Sequence, residues 1–208
     1  MREREGGAWV FTSATLSSAG RFDLFKQRLG IGECVERTWE SPFNYWEQGC
    51  FYLPQMPPPA NNTAVHTHNV IEKVWPLINA AGGRTFVLCT SLAAVRAAAD
   101  ELQARLEANG NPYPLFVQGD GPKMRLIEEF RAHGNAVLVG SMSFWEGVDV
   151  KGEALSLVVI DKIPFAPPND PVMMARSRAV EASGRRPFDE ITLPEAVITL
   201  KQGAGRLI

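Results

Sequence analysis

Five short segments of this sequence combine polar, glycine and charged residues that chain packing alone does not require. They are Thr12–Leu16 (TSATL), Thr90–Ser91 (TS), Gln118–Gly121 (QGDG), Gly140–Asp149 (GSMSFWEGVD) and Gln202–Arg206 (QGAGR). Taken singly, most have an ordinary structural explanation. A Thr-Ser pair after a strand is more often a helix cap, and QGDG is more often a plain turn.

The segment Gly140–Asp149 carries more chemical information than the others. Phe144 and Trp145 lie among glycines and serines, and Glu146-Gly147-Val148-Asp149 places two carboxylates around a glycine. A carboxylate beside a glycine can accept a hydrogen bond from a ribose hydroxyl while the backbone approaches closely. The alternative is a helix-terminating turn with a buried tryptophan, and this segment alone does not decide between the two.

The segment Gln202–Arg206 does not form a dinucleotide-binding fingerprint. Gly203-Ala204-Gly205 follows a predicted helix instead of a strand, and the third glycine of that motif is missing.

Short apolar runs alternate with longer amphipathic stretches through most of the chain. Leu92, Val95, Ala99, Leu102 and Leu106 recur at helical spacing, which predicts one buried helix face. Strands are predicted at Ala8–Ser13, Arg84–Thr90, Leu115–Gln118, Ala136–Gly140 and Leu155–Asp161, with Tyr45–Leu53 as a further candidate. Helices are predicted near Arg21–Leu29, Ala64–Ala80, Lys123–His133, Pro171–Ser183 and Leu193–Gln202. The proline-rich stretch Pro54–Asn62 is the best linker.

This alternation predicts an α/β fold, a parallel sheet with helices on both faces. Ligands of such sheets bind at the carboxyl ends of the strands, so the loops that follow the strands are where binding residues are expected.

Composition sets the remaining bounds. The 208 residues carry a net charge of −2, so any nucleic-acid binding must depend on local groups instead of a global basic field. The three cysteines, Cys34, Cys50 and Cys89, have neither disulfide nor metal-ligand spacing. No apolar run is long enough for a membrane span and no signal peptide is evident, so a cytoplasmic protein without a membrane partner is expected.

The order of the five segments along the chain resembles the ordered motifs of superfamily 2 helicases, from the third conserved motif to the sixth. More narrowly, SFWEGVDVKGEALSLVVIDKIPFAPPNDP, LPEAVITLKQGAGRLI and ESPFNY (Glu40–Tyr45) resemble the DinG/YoaA family, relatives of the XPD helicases. The resemblance covers nearly the whole chain. It implies that the sheet is RecA-like.

The resemblance also implies residue roles. Two RecA-like domains of this family clamp one ATP, and the second supplies ribose contacts and charges that stabilise the transferring phosphoryl group. By position, Gly147 and Asp149, with Glu146 as a neighbour, would hold the ribose. Gln202 and Arg206 would face the γ-phosphate, beside Gly205.

Nucleic-acid contacts follow from the same resemblance. Phosphates of one strand would be contacted by Thr90, Ser91, Gln118, Gly119, Ser141 and Ser143. Trp145 would stack on a base or pack in the core. Thr12, Ser13 and Thr15 would couple the nucleotide state to the grip on DNA.

The resemblance assigns residues 1–16 to the last strand and coupling motif of a first motor domain, 17–62 to a connecting segment, and 63–208 to the second motor domain. It implies a fold that is incomplete at both ends, because the family pattern continues past Ile208 to a second arginine. No phosphate loop occurs in the chain. The Mg²⁺ ligands that accompany ATP, and any 4Fe–4S cluster, are expected in the missing half, and no metal site is expected here.

Three functions remain in competition. The first is part of an ATP-driven helicase that moves 5′→3′ on single-stranded or forked DNA together with a missing first motor domain, with this fragment alone inactive. The second is a stand-alone, non-hydrolytic nucleic-acid-binding module of the same fold. The third is a sugar-nucleotide transferase, which is disfavoured because no donor-binding glutamate pair is present.

Overall fold

The structure is a computed structural model that describes residues 7–17, 20–58, 62–144, 150, 152–167, 169–205 and 207. Its described residues form two compact units. One combines Met1–Leu53 with Phe165–Ile198, and the other combines Pro54–Pro164 with Thr199–Ile208. Among the described residues, no helix is both long enough and apolar enough to cross a membrane.

The second unit is built on four parallel strands. They are β1 (Thr85–Leu88), β2 (Leu115–Val117), β3 (Val137–Gly140) and β4 (Leu157–Ile160), in the spatial order β2-β3-β1-β4. Leu88 pairs in register with Gly140 on one side and with Ile160 on the other. The carboxyl ends of the strands therefore lie along one edge of the sheet.

Helices cover both faces of this sheet. On one face α3 (Thr63–Ala80) and α4 (Leu92–Ala108) pack against Val87 and Val139. On the other face α5 (Lys123–His133) packs against Phe86 and Leu138. Side chains of a strand alternate between the two faces, which explains why neighbouring residues of β1 belong to different core clusters. The predicted α/β, RecA-like parallel sheet with helices on both faces is confirmed.

The predicted buried face of α4 is correct only in part. Val95, Leu102 and Leu106 are buried, but Leu92 is 54% exposed, and Ala94 and Ala98 are buried as well. Leu92 is the first residue of the helix, directly after its N-cap Ser91, and burial begins two residues later at Ala94.

The first unit combines helices with long irregular stretches. It contains α1 (Asp23–Leu29), the single turn α2 (Tyr45–Gln48), α6 (Pro171–Ala182), a π-helical turn at Phe188–Thr192 and the start of α7 (Leu193–Ala204). The Glu195 carboxylate binds Arg28 of α1 as well as Arg176 of α6, which lies 2.9 Å away. Ile191 and Ala196 of this unit are buried.

Two predicted strands are absent from the described residues of this unit. Ala8–Ser13 is irregular and exposed, with Trp9 at 65%. Tyr45–Leu53 begins with α2 and continues as exposed, irregular chain. A strand is stable only when its N–H and C=O groups pair with a neighbour, and the four strands of the described sheet pair only with one another.

Candidate nucleic-acid interface

Described residues from three of the five predicted segments meet at the carboxyl edge of the sheet. Thr90 and Ser91 follow β1, Gln118 and Gly119 follow β2, and Ser141 and Ser143 follow β3. Parallel pairing of these strands brings the residues together, although up to 53 positions separate them in the chain. Outside the buried ends of the strands, this edge is half-buried or exposed.

The residues after β1 are fixed by two different means. The Ser91 hydroxyl accepts the Ala94 backbone N–H at 3.2 Å and so caps α4. The Thr90 backbone N–H donates to Asp161 Oδ1 at 3.0 Å, and the Thr90 hydroxyl donates to Asp161 Oδ2 at 3.4 Å. The predicted alternative of a helix cap is therefore correct for Ser91, and its hydroxyl hydrogen remains available to a ligand oxygen.

Asp161 is a site residue that the sequence analysis missed. It directly follows β4, which lies beside β1 in the sheet, and its carbonyl lies 3.1 Å from Nε2 of the buried His66. Burial raises the pKa of the Asp161 carboxyl above its ordinary value, although Lys162, the Thr90 N–H and His66 act in the opposite direction. The available signal was a carboxylate immediately after an apolar strand, at the edge where ligands bind.

The turn after β2 requires glycine at its second position. Gly119 has φ +114°, a conformation that other residues rarely adopt. The Gln118 backbone N–H extends the pairing to β3 by donating to the Val139 carbonyl at 2.9 Å. The Gln118 side-chain oxygen accepts the Ser141 backbone N–H at 2.6 Å, so this amide connects two loops of the edge.

The loop after β3 folds as a short 3-10 turn, Met142–Phe144. Phe144 is buried against Gly140, where an added Cβ would lie 2.7 Å from the ring. Gly140 therefore allows the aromatic ring to cover the end of its own strand.

The remaining predicted residues lie elsewhere. Gln202 is half-buried on α7 and Gly205 is exposed just beyond it, with its N–H bound to the Lys201 carbonyl at 2.8 Å. Leu207 packs against the core cluster that contains Phe144 and Val150. The chain after the QGAGR segment therefore reaches the cluster that holds both flanks of the 145–149 segment.

Thr12, Ser13 and Thr15 lie in irregular chain of the first unit. The Ser13 hydroxyl accepts the Thr15 backbone N–H at 3.2 Å, which forms a local turn. Some predicted residues lie outside the described part of the chain: Trp145, Glu146, Gly147, Asp149 and Arg206.

Comparison with known proteins identifies the family of the chain. The helicase C-terminal domain family matches residues 74–208. The chain is 45% identical over 207 residues to the ATP-dependent DNA helicase YoaA of Haemophilus influenzae. The aligned residues cover 99% of this chain and 31% of that protein. It is 44% identical over 202 residues to YoaA of Escherichia coli, with 97% and 31% covered.

A further relative is the ATP-dependent helicase DinG of Mycobacterium tuberculosis. The identity is 38% over 204 residues, with 96% of this chain and 30% of that protein covered. The chain thus spans less than a third of the length of these relatives. On the family match and these similarities, the chain belongs to the helicase C-terminal domain family, in its DinG/YoaA branch.

Proposed function

We propose that this chain is the second motor domain of a longer ATP-dependent DNA helicase. The whole protein would couple ATP hydrolysis to movement along single-stranded DNA and unwind duplexes in the 5′→3′ direction. The observation that carries this proposal is the convergence of Thr90, Gln118 and Ser141 on one edge of a parallel sheet, because these residues belong to three separate motifs of the family.

The chemistry of this edge suits phosphates better than bases. Its predicted contacts are hydroxyl, amide and backbone N–H groups, which bind phosphate oxygens without reading sequence. The net charge of −2 is consistent with short-range hydrogen bonds instead of long-range attraction. Single-stranded or forked DNA is therefore the proposed substrate, held without base preference.

ATP would bind on the side of the domain that faces the first motor domain. Among the described residues, Gly205 is exposed and has no side chain, which allows close approach of phosphates, and Gln202 supplies a half-buried amide. Gln202 and Arg206 are proposed to face the γ-phosphate, and Glu146, Gly147 and Asp149 the ribose. When bound, ATP supplies the phosphoryl group whose transfer to water drives the motor.

Other functional parts of the full-length helicase are proposed to lie outside this chain. Among the described residues, no three His, Cys, Asp or Glu side chains form a group that could hold a metal ion. The phosphate loop, the Mg²⁺ ligands and any 4Fe–4S cluster are assigned to the first motor domain and its insertions. Thr12, Ser13 and Thr15 are proposed to transmit the nucleotide state between the two motors.

An unwinding assay with tailed duplexes tests the proposal. The full-length protein that contains this chain should release the duplex strand from a substrate with a 5′ single-stranded tail, and only when ATP and Mg²⁺ are present. A blunt duplex serves as the control. Unwinding only from a 3′ tail would contradict the proposed direction, and binding without any hydrolysis would favour the stand-alone binding module.

A further inference from the structure

Two side chains from the region after β2 reach across to the loop after β3. That loop, Ser141–Phe144, is called the β3 loop below. The Gln118 amide oxygen accepts the Ser141 backbone N–H at 2.6 Å. The Lys123 ammonium, at the start of α5, donates to the Ser143 carbonyl. The β3 loop is thus held by its backbone at two points, two residues apart.

The β3 loop is also anchored from within. The Phe144 backbone N–H donates to the Ser141 carbonyl at 2.8 Å, which closes the turn. The Phe144 ring is only 2% exposed and belongs to the core cluster under α5. The Lys123 ammonium lies 5.4 Å from the centre of this ring, within the range of a cation–π interaction. Lys123 therefore contacts both the buried ring and the backbone of the loop.

Gln118 and Lys123 both bind backbone groups of the β3 loop, and the serine hydroxyls of the loop take no part in these contacts. Within the described part of the chain, the hydroxyls of Ser141 and Ser143 make no hydrogen bond. The Gln118 side-chain oxygen, by contrast, accepts the Ser141 backbone N–H and so supports the loop, and only the NH₂ group of this amide can donate to a phosphate oxygen. Gln118 and Lys123 therefore hold the loop, and Ser141 and Ser143 are the residues held.

We propose that Gln118 and Lys123 are positioning residues, which hold the Ser141 and Ser143 hydroxyls in place for the DNA strand. This inference rests on the proposed function, and it adds a supporting role, through the side-chain oxygen, to the phosphate contact expected for Gln118. It also adds Lys123, which the five motifs do not contain. The competing explanation is that the half-buried Lys123 binds a phosphate directly.

The two explanations differ in their dependence on salt. A lysine that neutralises one phosphate releases counterions, so its removal lowers the slope of log affinity against log salt by about 0.7 for single strands. Removal of a lysine that only positions a loop lowers the affinity for DNA by a factor that does not depend on salt. Lys123→Met keeps the aliphatic stem but removes the charge, Lys123→Arg keeps a donor, and Gln118→Met removes the acceptor. Lys73→Met is the matched control, because Lys73 is exposed on α3, away from the strand ends.

Two measurements on the full-length protein test the proposal. In hydrogen exchange, Lys123→Met and Gln118→Met should speed exchange in a peptide covering residues 141–144, while exchange in β1 stays as in the wild type. In ATP hydrolysis, each should raise the DNA concentration for half-maximal stimulation about tenfold, the scale of one hydrogen bond to a charged group, with kcat little changed. Lys123→Arg should recover most of the loss, and Lys73→Met should match the wild type.

Three results would overturn the proposal. The first is unchanged exchange at 141–144 in both variants. The second is faster exchange without any rise in the DNA requirement. The third is a salt slope reduced by about 0.7 in Lys123→Met, which would make Lys123 a phosphate contact. If the wild-type protein hydrolyses no ATP in the presence of DNA, the proposed function fails, and the positioning role fails with it. The hydrogen-exchange comparison then reports only whether Gln118 and Lys123 hold the β3 loop.

Discussion

Asp161 and Thr90 are joined by two hydrogen bonds at the carboxyl ends of β4 and β1. The carboxylate accepts the Thr90 backbone N–H at 3.0 Å and the Thr90 hydroxyl at 3.4 Å. The second residue after β1 is thereby fixed by the residue that follows β4, about 70 positions later in the chain. Because the hydroxyl donates to Asp161, it presents lone pairs outward, and the exposed Ser91 beside it is the better donor to a phosphate.

The first prediction concerns the pH dependence of stability. Burial raises the folded-state pKa of Asp161, so its contribution to stability is full below the unfolded pKa of about 3.9 and is lost as pH rises through the folded pKa. Asp161→Asn keeps an acceptor for the Thr90 N–H but cannot ionise. The free energy of unfolding of the variant relative to wild type should therefore rise with pH above about 4. Denaturant titrations at several pH values measure this, and a difference that does not vary with pH would contradict it.

Ser91 should show separable roles in capping and in DNA binding. Ser91→Ala removes the N-cap of α4 and should cost about 1 kcal/mol of stability. Ser91→Asn keeps a capping oxygen but removes the hydroxyl, so stability should stay near wild type while single-strand affinity falls several-fold. Thermal unfolding and DNA titrations of both variants distinguish the roles. Wild-type affinity in both would exclude Ser91 from the interface.

The cysteines should differ in reactivity. Cys34 and Cys50 are exposed, whereas Cys89 is buried at the end of β1 and burial raises the pKa of its thiol. A maleimide should label Cys34 and Cys50 quickly in the native chain, and Cys89 only after denaturation. Peptide mapping of the labelled sites provides the measurement. Rapid native labelling of Cys89 would mean that the end of β1 opens readily.

Glu195 should stabilise the helical unit more than an exposed ion pair does. Its carboxylate is 14% exposed and binds Arg28 and Arg176. Glu195→Gln should destabilise the chain by roughly 1–3 kcal/mol, the range for hydrogen bonds to charged groups. The control is Glu190→Gln, whose partner Arg185 is more exposed, with an expected loss below about 1 kcal/mol. Equal losses in the two variants would contradict a special role for Glu195.

The sequence predicts elements well where local signals are strong. Lys123–His133 is observed with the predicted limits, between Pro122 and a left-handed Gly134, because such boundaries depend on nearby residues. The strand predicted at Ala8–Ser13 is wrong, because an apolar composition does not supply the neighbouring strand with which it would have to pair. The order of the strands is also non-local, and the contacts of Asp161 with Thr90 depend on it.

In the candidate site, too, local sequence signals are informative and non-local contacts are not predicted. The motifs indicate which residues belong to it, but the hydrogen bond from Ser141 to Gln118 joins positions 23 apart and arises only when β2 and β3 pair. For this reason the support that the Gln118 oxygen gives to a neighbouring loop cannot be predicted from sequence, and the phosphate contact expected of Gln118 stays a prediction. Lys123 belongs to no motif and becomes visible only through its contacts with Ser143 and Phe144.

Arg206 is proposed to stabilise the transferring phosphoryl group in a DNA-stimulated ATPase. The most direct test is ATP hydrolysis by the full-length protein with excess single-stranded DNA, compared between wild type and Arg206→Ala, with nucleotide binding measured in parallel. We expect DNA-stimulated turnover in the wild type, a loss of about 10²–10³ in the variant, and retained nucleotide binding. Turnover above a tenth of the wild-type value in Arg206→Ala would contradict the claim.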